Sequence, residues 1–521
     1  MFPTTEQLRR EWSEFRRVGR LLAMACAALA LVALGLLHAS GNHASCDGPC
    51  PDRPTAPDGT LVHDRFSFLH RDMGAHGSIT VRLTSMTGTL TYPPPHHDRI
   101  VPGLVPWAKA GIIIKDGLRP GSSYAALMVT GGHGVRMQYD YRHDIAGSTA
   151  RVTGGAAPRW LRLTRSGDTV TGHESADGRT WTRVGTARLA GLPETVRVGL
   201  FATSPGDLTL RETGLGGATE QVRWTQTGGT FDSVALQGAA AGRWSDGAVG
   251  ERNRTDWEKY HLASGAVERN GTITVTGAGD IGPAGAEDGV SPVERLLGGL
   301  IPALLLVLVV AARFAATTRR TGPTAGTGTG AGSRTRARTR ARPRLAAQAV
   351  VVAAVTFVTA LLALGIVIPV GLAILKGNGV PVIGVSAFTG TRLVVGTAGA
   401  LALAAVLALA LGSLLRRAWL AILVAVLAVA VPYAVTSIPL LPDGVAQGLL
   451  RVTPAAGFAV QQTLVAYPQV VAHYAPSAGY FPLPWWAGAA VLCAYTGALL
   501  GLALNRLPRG DGGPGAAVGQ G

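Results

Sequence analysis

The sequence predicts a polytopic α-helical membrane protein, with six transmembrane helices and an all-β sandwich inserted between the first two of them. Three observations support this fold class. Six apolar segments approach or exceed the roughly 20 residues that a membrane helix needs. The long stretch between the first two segments carries short alternating strands instead. Basic residues gather beside the apolar segments, so the net charge of +16 belongs to the membrane flanks.

The apolar segments predict spans at residues 21–40, 294–315, 345–375, 391–415, 418–440 and 485–505. The second is short, but Arg295 and Arg313 lie at its ends, and long arginine side chains reach the membrane interface from such positions. The first has basic flanks, yet its core is long and no clear cleavage site follows. We therefore interpret it as an uncleaved anchor rather than a signal peptide.

Lysine and arginine in the flanking loops give the orientation. One side of the predicted bundle carries 18 of them and the short loops on the other side carry 3. Because basic residues are retained in the cytoplasm, this asymmetry predicts that both termini are cytoplasmic. Residues 41–293 are then extracytoplasmic, and the expected location is the plasma membrane.

An arginine tract lies in the predicted cytoplasmic loop 316–344. The loop begins rich in Gly and Thr, and six arginines then alternate from Arg334 to Arg344. Such a tract holds its loop in the cytoplasm and contacts anionic lipid headgroups. Arg-rich segments also bind RNA, but no aromatic residue is interleaved here for base stacking. Membrane lipid is therefore the expected partner, and nucleic acid is not.

The block between the first two spans reads as β structure. GSITVRLTSMTG (77–88) and GVRMQYDY (134–141) alternate apolar and polar residues, as half-buried strands do. RWLRLTRSGDTVTG (159–172) alternates and then turns at Ser166–Asp168, and Asp177–Gly178 marks a further hairpin. Short alternating strands separated by turn signals predict an antiparallel sandwich over 60–240. We expect a stalk at 41–59 and a small β appendage with a linker at 241–293.

The stalk contains Cys46 and Cys50 in the motif CDGPC. If that side is extracytoplasmic, the two form a small disulfide loop, and the alternative is two free thiols in a flexible stalk. A metal site is not expected, because two thiols without nearby histidines make an incomplete ligand set. His96, His97 and Asp98 follow a Pro-rich stretch and are interpreted as an exposed loop rather than a metal site.

The β block resembles a known family. Residues 107–141, 158–185 and 196–204 resemble a concanavalin A-like sandwich of the DUF1349/laminin-G-like kind, with 231–238 as its closing strand. Glucanases of this fold carry a Glu-x-Asp-x-x-Glu strand, which does not occur in this sequence. No catalytic residue is therefore assigned. The sequence leaves two roles open for three tryptophans, which either stack on a sugar or pack in the core. They are Trp107, Trp160 and Trp181.

The membrane half resembles the permease subunit of an ABC-2 type transporter of the actinobacterial kind. The similarity lies in residues 5–20, 342–371, 391–417 and 449–511, and their order adds weight to it. The resemblance implies an amphipathic cytoplasmic helix in 1–20, a partly re-entrant extracytoplasmic loop at 443–484 and a cytoplasmic tail at 506–521. Residues implied at the membrane surface or in coupling to an ATPase are Trp12, Phe15, Arg16, Arg17, Arg319 and Arg320.

The same resemblance implies partners rather than an enzyme activity. No G-x-x-x-x-G-K-[ST] motif occurs, so ATP would bind a separate ATPase subunit and this chain would carry no cofactor. A second permease copy, identical or related, would complete the pore. One departure is that residues 311–333 contain no clear counterpart of the family's coupling helix. The substrate stays open, and a glycan or cell-wall component is a possible ligand of the sandwich.

Two rival functions remain. One is a non-transporting, membrane-anchored receptor or glycan- and wall-binding protein, for which a single anchor would suffice. The other is a membrane-bound glycosidase, which lacks the required carboxylate pair.

Overall fold

The computed structural model describes the chain in two compact units. One comprises Met1–Cys50, Gly289–Ala466 and His473–Gly521, and the other Pro51–Asp288 with Tyr467–Ala472. The described residues are 3–44, 53–92, 99–153, 156–213, 217–239, 242–250, 264–284, 291–320, 341–415, 417–437, 441, 443–467, 469 and 474–507. Cys46, Cys50, His96, His97, Asp98 and most of the arginine tract lie outside the described residues.

The first unit is helical. Its α-helices are α1 (Thr5–Phe15), α2 (Val18–Gly41), α3 (Leu300–Arg320), α4 (Ala341–Gly377), α5 (Ala387–Leu414), α6 (Ala418–Ala425 and Val431–Ser437, joined by a π-helical turn at Val426–Ala430), α7 (Asp443–Val452) and α8 (Trp485–Arg506). Short 3₁₀-helices lie at Val293–Leu297, Pro454–Gln461 and Pro476–Ala478.

Small residues allow the helices to pack closely. A side chain at Gly35 of α2 would come within 2.3 Å of the Leu296 carbonyl oxygen and 2.4 Å of Val367 on α4. A side chain at Gly488 of α8 would come within 2.2 Å of the Ala456 carbonyl oxygen. Such contacts are typical of apolar helices that associate without a hydrophobic driving force between them.

Five helices are long and apolar enough to cross a membrane, by length and composition, among the residues that the structure describes. They coincide with five of the six predicted spans, which is consistent with a membrane protein. The predicted span 294–315 differs, because the helix begins only at Leu300 and its apolar part, Leu300–Ala316, is shorter than the others. Residues 293–297 form a 3₁₀-helix instead. Pro292, which directly precedes it, has an extended backbone conformation.

The predicted re-entrant loop 443–484 contains three helical pieces, which are α7 and the 3₁₀-helices Pro454–Gln461 and Pro476–Ala478. Helix α7 is amphipathic and is followed by the 3₁₀-helix Pro454–Gln461, of which all eight residues are buried. That short helix packs on α8 and α5. A buried 3₁₀-helix of this length is unusual, since such runs seldom exceed three or four residues, and it often marks a functional element.

The second unit is all β. Its strands are β1 (Val62–Asp64), β2 (Phe66–Thr91), β3 (Ile100–Pro102), β4 (Lys109–Lys115), β5 (Tyr124–Thr130), β6 (Val135–Tyr139), β7 (His143–Ala146), β8 (Arg159–Ser166), β9 (Thr169–Ser175), β10 (Thr182–Arg188), β11 (Val196–Thr203), β12 (Asp207–Thr213), β13 (Gly217–Ala239), β14 (Ser245–Val249), β15 (Gly265–Arg269), β16 (Thr272–Gly277) and β17 (Ile281–Pro283).

Fifteen of these strands form one antiparallel, sandwich- or barrel-like sheet, whose main path is β10-β9-β8-β2-β11-β4-β5-β6-β7. The long strands β2 and β13 pair over most of their length, with bulges that shift the register. Bulges of this kind bend and twist a sheet so that it can curl around a core. Strands β1 and β17 form a separate two-stranded ribbon.

Strands β4 and β5 are buried on both faces and separate two apolar clusters. Ile112 and Leu127 contribute to the larger cluster, inside the curled sheet. Ile113 and Met128 point to the smaller cluster, which also includes residues of the β1–β17 ribbon. The continuous apolar run of β4 is the sequence signature of a strand covered on both sides.

The predicted hairpins are present. Strands β8 and β9 turn at Gly167, whose φ of +60° favours glycine, and β9 and β10 pair on either side of Asp177–Gly178. The prediction of a separate β appendage at 241–293 differs from the structure. Strand β14 pairs with β2 and β16 pairs with β13, so these segments extend the same sheet. The sequence does not show this pairing, because local alternation of apolar and polar residues does not reveal which distant strands pair.

Candidate functional site

Helix α1 is amphipathic and well capped. The Thr4 side chain accepts a hydrogen bond from the Gln7 backbone, and the Gln7 side chain accepts one from the Thr4 backbone. This capping box fixes where the helix begins. Leu8, Glu11 and Phe15 lie on one face, at helical spacing, and that face is the one that packs on the bundle.

A buried carboxylate ties α1 to α4. Glu11 is only 2% exposed, and its two oxygens accept hydrogen bonds from Arg344 Nε at 2.8 Å and Gln348 Nε2 at 2.9 Å. Charge-assisted hydrogen bonds of this kind are stronger than neutral ones. A charged group this deeply buried must be paired, so the contact fixes α1 against the first turns of α4.

An aromatic contact ties α1 to α3. Phe15 is 1% exposed and meets Phe314 edge to face, with ring centroids 5.3 Å apart. The Arg20 guanidinium lies 4.6 Å from the Phe314 ring centroid. We call Glu11, Phe15, Phe314, Arg344 and Gln348 the α1 latch. It joins the N-terminal helix to two helices of the bundle.

The other residues predicted at this surface lie around the latch. Trp12 is 44% exposed and stacks on Phe15, with 6.5 Å between centroids. Arg16 is exposed, and Arg17 forms a 2.7 Å ion pair with Glu14. Arg319 and Arg320 end α3, but their side chains lie outside the described part of the structure. Sequence analysis missed Glu11, although a lone acid on the apolar face of an amphipathic helix could have identified it.

A second polar group lies where the 3₁₀-helix Val293–Leu297 meets the chain after Pro454–Gln461. Glu294, 5% exposed, accepts a hydrogen bond from Thr463 Oγ1 at 2.5 Å. Arg392 of α5 donates to the Gln462 carbonyl oxygen and interacts electrostatically with Glu294. Tyr433 of α6 donates to Gln461 Oε1 at 3.0 Å. We call this set the Glu294 cluster.

Sequence analysis did not find the Glu294 cluster. In the sequence, Glu294 is the first residue of the predicted span 294–315 and Arg392 is one basic residue at the start of the predicted span 391–415. The two are about 100 residues apart in the chain, so no local pattern relates them. One feature of the sequence could have identified Glu294, because it is an acid immediately before an apolar helix. An acid at such a position is rare unless it has a partner or a function.

The three tryptophans predicted for ligand stacking are not brought together as one site. Trp107 is 5% exposed and stacks on His133 at 4.0 Å, so it belongs to the packed interior. Trp160 packs over Gly178, and Trp181 lies 3.9 Å from the Arg162 guanidinium. Because residues 160 and 162 share one face of β8, Trp160 and Trp181 are on the same side of the sheet.

Two buried lysines of β4 pair with aspartates at the ribbon. Lys115 Nζ donates to Asp64 Oδ2 at 2.7 Å, to the Ser122 carbonyl oxygen at 2.8 Å and to the Tyr141 hydroxyl at 3.0 Å. Lys109 donates to Asp280 Oδ1 at 2.5 Å. Burial lowers the pKa of Lys115, and burial together with Asp64 raises the pKa of Tyr141. Each charge meets an opposite charge, so these pairs read as structural.

A groove opens on the sheet beside Trp244. It has a volume of about 380 Å³ and is lined by Leu69, Arg243, Trp244, Ala266, Glu268 and Ile273. The Arg71 guanidinium lies 5.8 Å from the Trp244 ring centroid. Within the described part of the chain, no three His, Cys, Asp or Glu residues are grouped to hold a metal ion.

Comparison of the chain with known proteins gives matches only among solved structures. No protein family model matches it, and no curated protein matches it. A solved protein of unknown function from Saccharomyces cerevisiae is 19% identical over 37% of this chain and 84% of its own, with a TM-score of 0.19. A scytalido-glutamic peptidase is 7% identical over 41% of this chain and 98% of its own, with a TM-score of 0.27.

A third solved structure, the GH43 protein BlXynB from Bacillus licheniformis, is 15% identical over 29% of this chain and 27% of its own, with a TM-score of 0.18. All three TM-scores are far below 0.5. None of these similarities therefore carries an argument about the fold or the function of this chain.

Proposed function

We propose that this chain is the permease subunit of an ABC-2 type transporter, with six spans, cytoplasmic termini and an extracytoplasmic sandwich. A separate ATPase subunit binds ATP, and a second permease copy, identical or related, completes the pore in the plasma membrane. The chain itself is not an enzyme. The observation that carries the proposal is the α1 latch, because it joins an amphipathic surface helix to two helices of the bundle.

The latch supports a mechanical role for α1. Its hydrogen bonds and ring contact leave α1 little freedom to move without α3 and α4. On its outer side α1 presents exposed Trp12, Arg16 and Arg17, which suit anionic lipid and a protein partner. A push on α1 by closing ATPases is therefore passed to the two helices that the latch holds.

This mechanical role for α1 also fits the sequence of 311–333, which contains no clear counterpart of the family's coupling helix. Helix α3 continues to Arg320 without a break, and the sequence beyond it is Gly- and Thr-rich. Because the sequence of 311–333 contains no clear counterpart of the family's coupling helix, we assign the receipt of force to α1 among the elements that the structure describes. We expect loss of the latch to uncouple ATP hydrolysis from transport rather than to prevent folding.

The test is a purification of the full chain from its native host, followed by measurement of ATPase activity in the complex. We expect an ABC ATPase to co-purify, and its rate to change when the permease is present. Phe15→Ala should remove that change, because it deletes the ring that meets Phe314.

Trp486→Ala is the matched control for the latch, because Trp486 is an exposed aromatic residue in the first turn of α8, outside the latch and outside the face of α1 proposed to meet the ATPase. It should leave the ATPase response closer to that of the wild type. An intact, folded chain that never captures an ATPase would contradict the permease proposal.

A second candidate function is a non-transporting, membrane-anchored glycan- or wall-binding protein. The groove beside Trp244 favours it, because an indole face flanked by Arg243 and Glu268 suits stacking and hydrogen bonding to a sugar. Its test is binding of the full chain to purified cell-wall glycan. Binding lost in Trp244→Ala, combined with no ATPase partner, would favour this function.

A further inference from the structure

The Glu294 cluster contains buried polar atoms without partners. Among the described residues, Glu294 Oε2, Arg392 Nε and Gln461 Nε2 are each buried and make no hydrogen bond. Glu294 is 5% exposed and Gln461 is fully buried. An unsatisfied buried polar group is unfavourable by about 1–3 kcal/mol, and more when charged. Three of them in one apolar bundle call for a functional explanation.

Three consecutive residues bring these atoms into one place. Gln461 carries one of the unpartnered atoms, the Gln462 carbonyl oxygen accepts from Arg392, and Thr463 donates to Glu294. The backbone of Thr463 is in turn hydrogen-bonded to the Gly479 carbonyl oxygen at 3.0 Å. The acid and the guanidinium are therefore hydrogen-bonded to the two residues that directly follow the amide of Gln461.

The chain at Gly479 closes tightly over the acid. A side chain there would come within 2.9 Å of the Glu294 carboxyl carbon and 2.4 Å of Thr463 Oγ1, and its φ of +84° is the left-handed conformation that favours glycine. The carboxylate orientation is thus fixed by its surroundings.

Aromatic rings border the cluster. Tyr433 and Phe458 lie 4.8 Å apart, centroid to centroid, and Tyr433 donates to Gln461. Phe458 and Gln461 are three residues apart on a 3₁₀-helix, where such side chains eclipse, so they share a face. On the other side, the Arg392 guanidinium lies 5.7 Å from the Trp485 ring centroid. Aromatic rings attract cations, ammonium groups included.

The unpartnered atoms define the ligand that would satisfy them. A lone cation would satisfy Glu294 but not the two N–H donors, and a lone anion would satisfy the donors but not the acid. An apolar ligand would satisfy none of them. A neutral molecule that carries an ammonium beside an anionic oxygen satisfies all three.

We propose that the Glu294 cluster binds the zwitterionic head of an amphipathic molecule. Its ammonium meets Glu294 Oε2, and its anionic oxygen accepts from Arg392 and Gln461. This inference rests on the proposed function in one respect only. If the chain is a transporter, the bound molecule is its cargo, and the inference then gives that cargo a polar head. The same chemistry occurs in a phosphoethanolamine lipid and in a water-soluble zwitterion.

The test uses the full chain alone, in detergent, without any ATPase. One arm measures retention of dioleoylphosphatidylethanolamine against dioleoylphosphatidylglycerol by native mass spectrometry. The other measures the thermal shift with glycerophosphoethanolamine, a neutral water-soluble zwitterion, against glycerol 3-phosphate, which has no ammonium. We expect a preference for the zwitterion in one of the arms. Preference in the lipid arm identifies a membrane lipid, and preference in the soluble arm identifies a soluble ligand.

Glu294→Gln should weaken the preferred zwitterion about tenfold to a hundredfold, because it removes a hydrogen bond to a charged group. The amide oxygen can still accept from Thr463, so the fold should persist. Gln461→Met gives an independent variant, with a smaller loss. Thr496→Val, which alters a buried polar residue of α8 outside the cluster, is the matched control and should bind as the wild type does.

No preference for the zwitterion in either arm would overturn the inference, as would unchanged binding in a folded Glu294→Gln. The two proposals fail separately. Binding that depends on Glu294 without a co-purifying ATPase would refute the transporter and leave the site standing. A coupled ATPase without any zwitterion preference would support the transporter and refute the binding site.

Discussion

The two units of the chain contain buried charges that differ in how fully they are hydrogen-bonded. In the sandwich, Lys115 donates three hydrogen bonds and Asp64 Oδ2 accepts three, from Lys115, Tyr141 and Gly121, although Asp64 Oδ1 has no partner among the described residues. In the helical unit, Glu294 accepts one such bond on Oε1, and its other oxygen has none.

The difference separates a structural charge from a functional one. An ammonium that uses all three of its donors has no capacity left for a ligand, so the Lys115 ammonium holds the ribbon to the sheet. Glu294, Arg392 and Gln461 keep unused capacity in an apolar bundle, where it is unfavourable to the fold. The α1 latch lies between these cases, since it is well paired but links elements that the proposed function requires to move together.

The largest expected effect is the loss of the buried lysine. Lys115→Met leaves the Asp64 carboxylate buried without its cation, and should lower the free energy of unfolding of the sandwich by about 3–5 kcal/mol. Tryptophan fluorescence of the full chain during denaturation measures it. Arg82→Met is the matched control, because the Arg82–Asp232 pair is partly exposed, and it should change stability by about 1 kcal/mol or less. Equal effects would remove the distinction between buried and exposed pairs.

The next effect concerns the latch. Glu11→Ala leaves Arg344 and Gln348 without their acceptor and should destabilise the helical unit by about 1–3 kcal/mol. Glu14→Ala, which removes only an exposed partner of Arg17, should change stability by about 0.5 kcal/mol or less. Thermal unfolding in detergent compares the two. A Glu11→Ala protein as stable as Glu14→Ala would mean that α1 is not fixed to the bundle.

Much of the fold was predictable because its signals are local. Long apolar runs identify the helices, and alternation with turn residues identifies β8, β9 and their hairpins. The integration of β14–β16 into the main sheet was not predictable, since pairing between distant strands depends on tertiary contacts. The late start of α3 at Leu300 was hidden because hydropathy alone does not register a 3₁₀-helix.

The candidate sites were less predictable than the fold. Phe15 and the amphipathic face of α1 followed from helical spacing, but Arg344 and Gln348 join Glu11 across more than 300 residues. The sequence leaves core packing and sugar stacking open for Trp107, and the structure packs it on His133, because burial on a sheet depends on the covering strands.

A smaller effect is expected from pH. His70 is 7% exposed, and its burial together with Arg197 lowers its pKa below the ordinary value of 6.5. The unfolded chain therefore takes up the proton first, so stability falls as pH drops from about 7 towards 5. The unfolding midpoint of the sandwich should fall by a few degrees, and by less in His70→Phe. Burial raises the pKa of Asp140, which acts in the opposite direction, so the variant is needed to isolate His70.

The smallest expected effect is that of neutralising Glu294. Glu294→Gln should change the free energy of unfolding of the helical unit by less than about 1 kcal/mol, because Oε2 makes no bond that the substitution could break and the amide still accepts from Thr463. Thermal unfolding in detergent without added lipid measures it. A loss as large as that of Lys115→Met would mean that Glu294 is held by a full set of contacts and is structural. A small loss, beside a large loss of zwitterion binding, would mean that the acid serves a ligand rather than the fold.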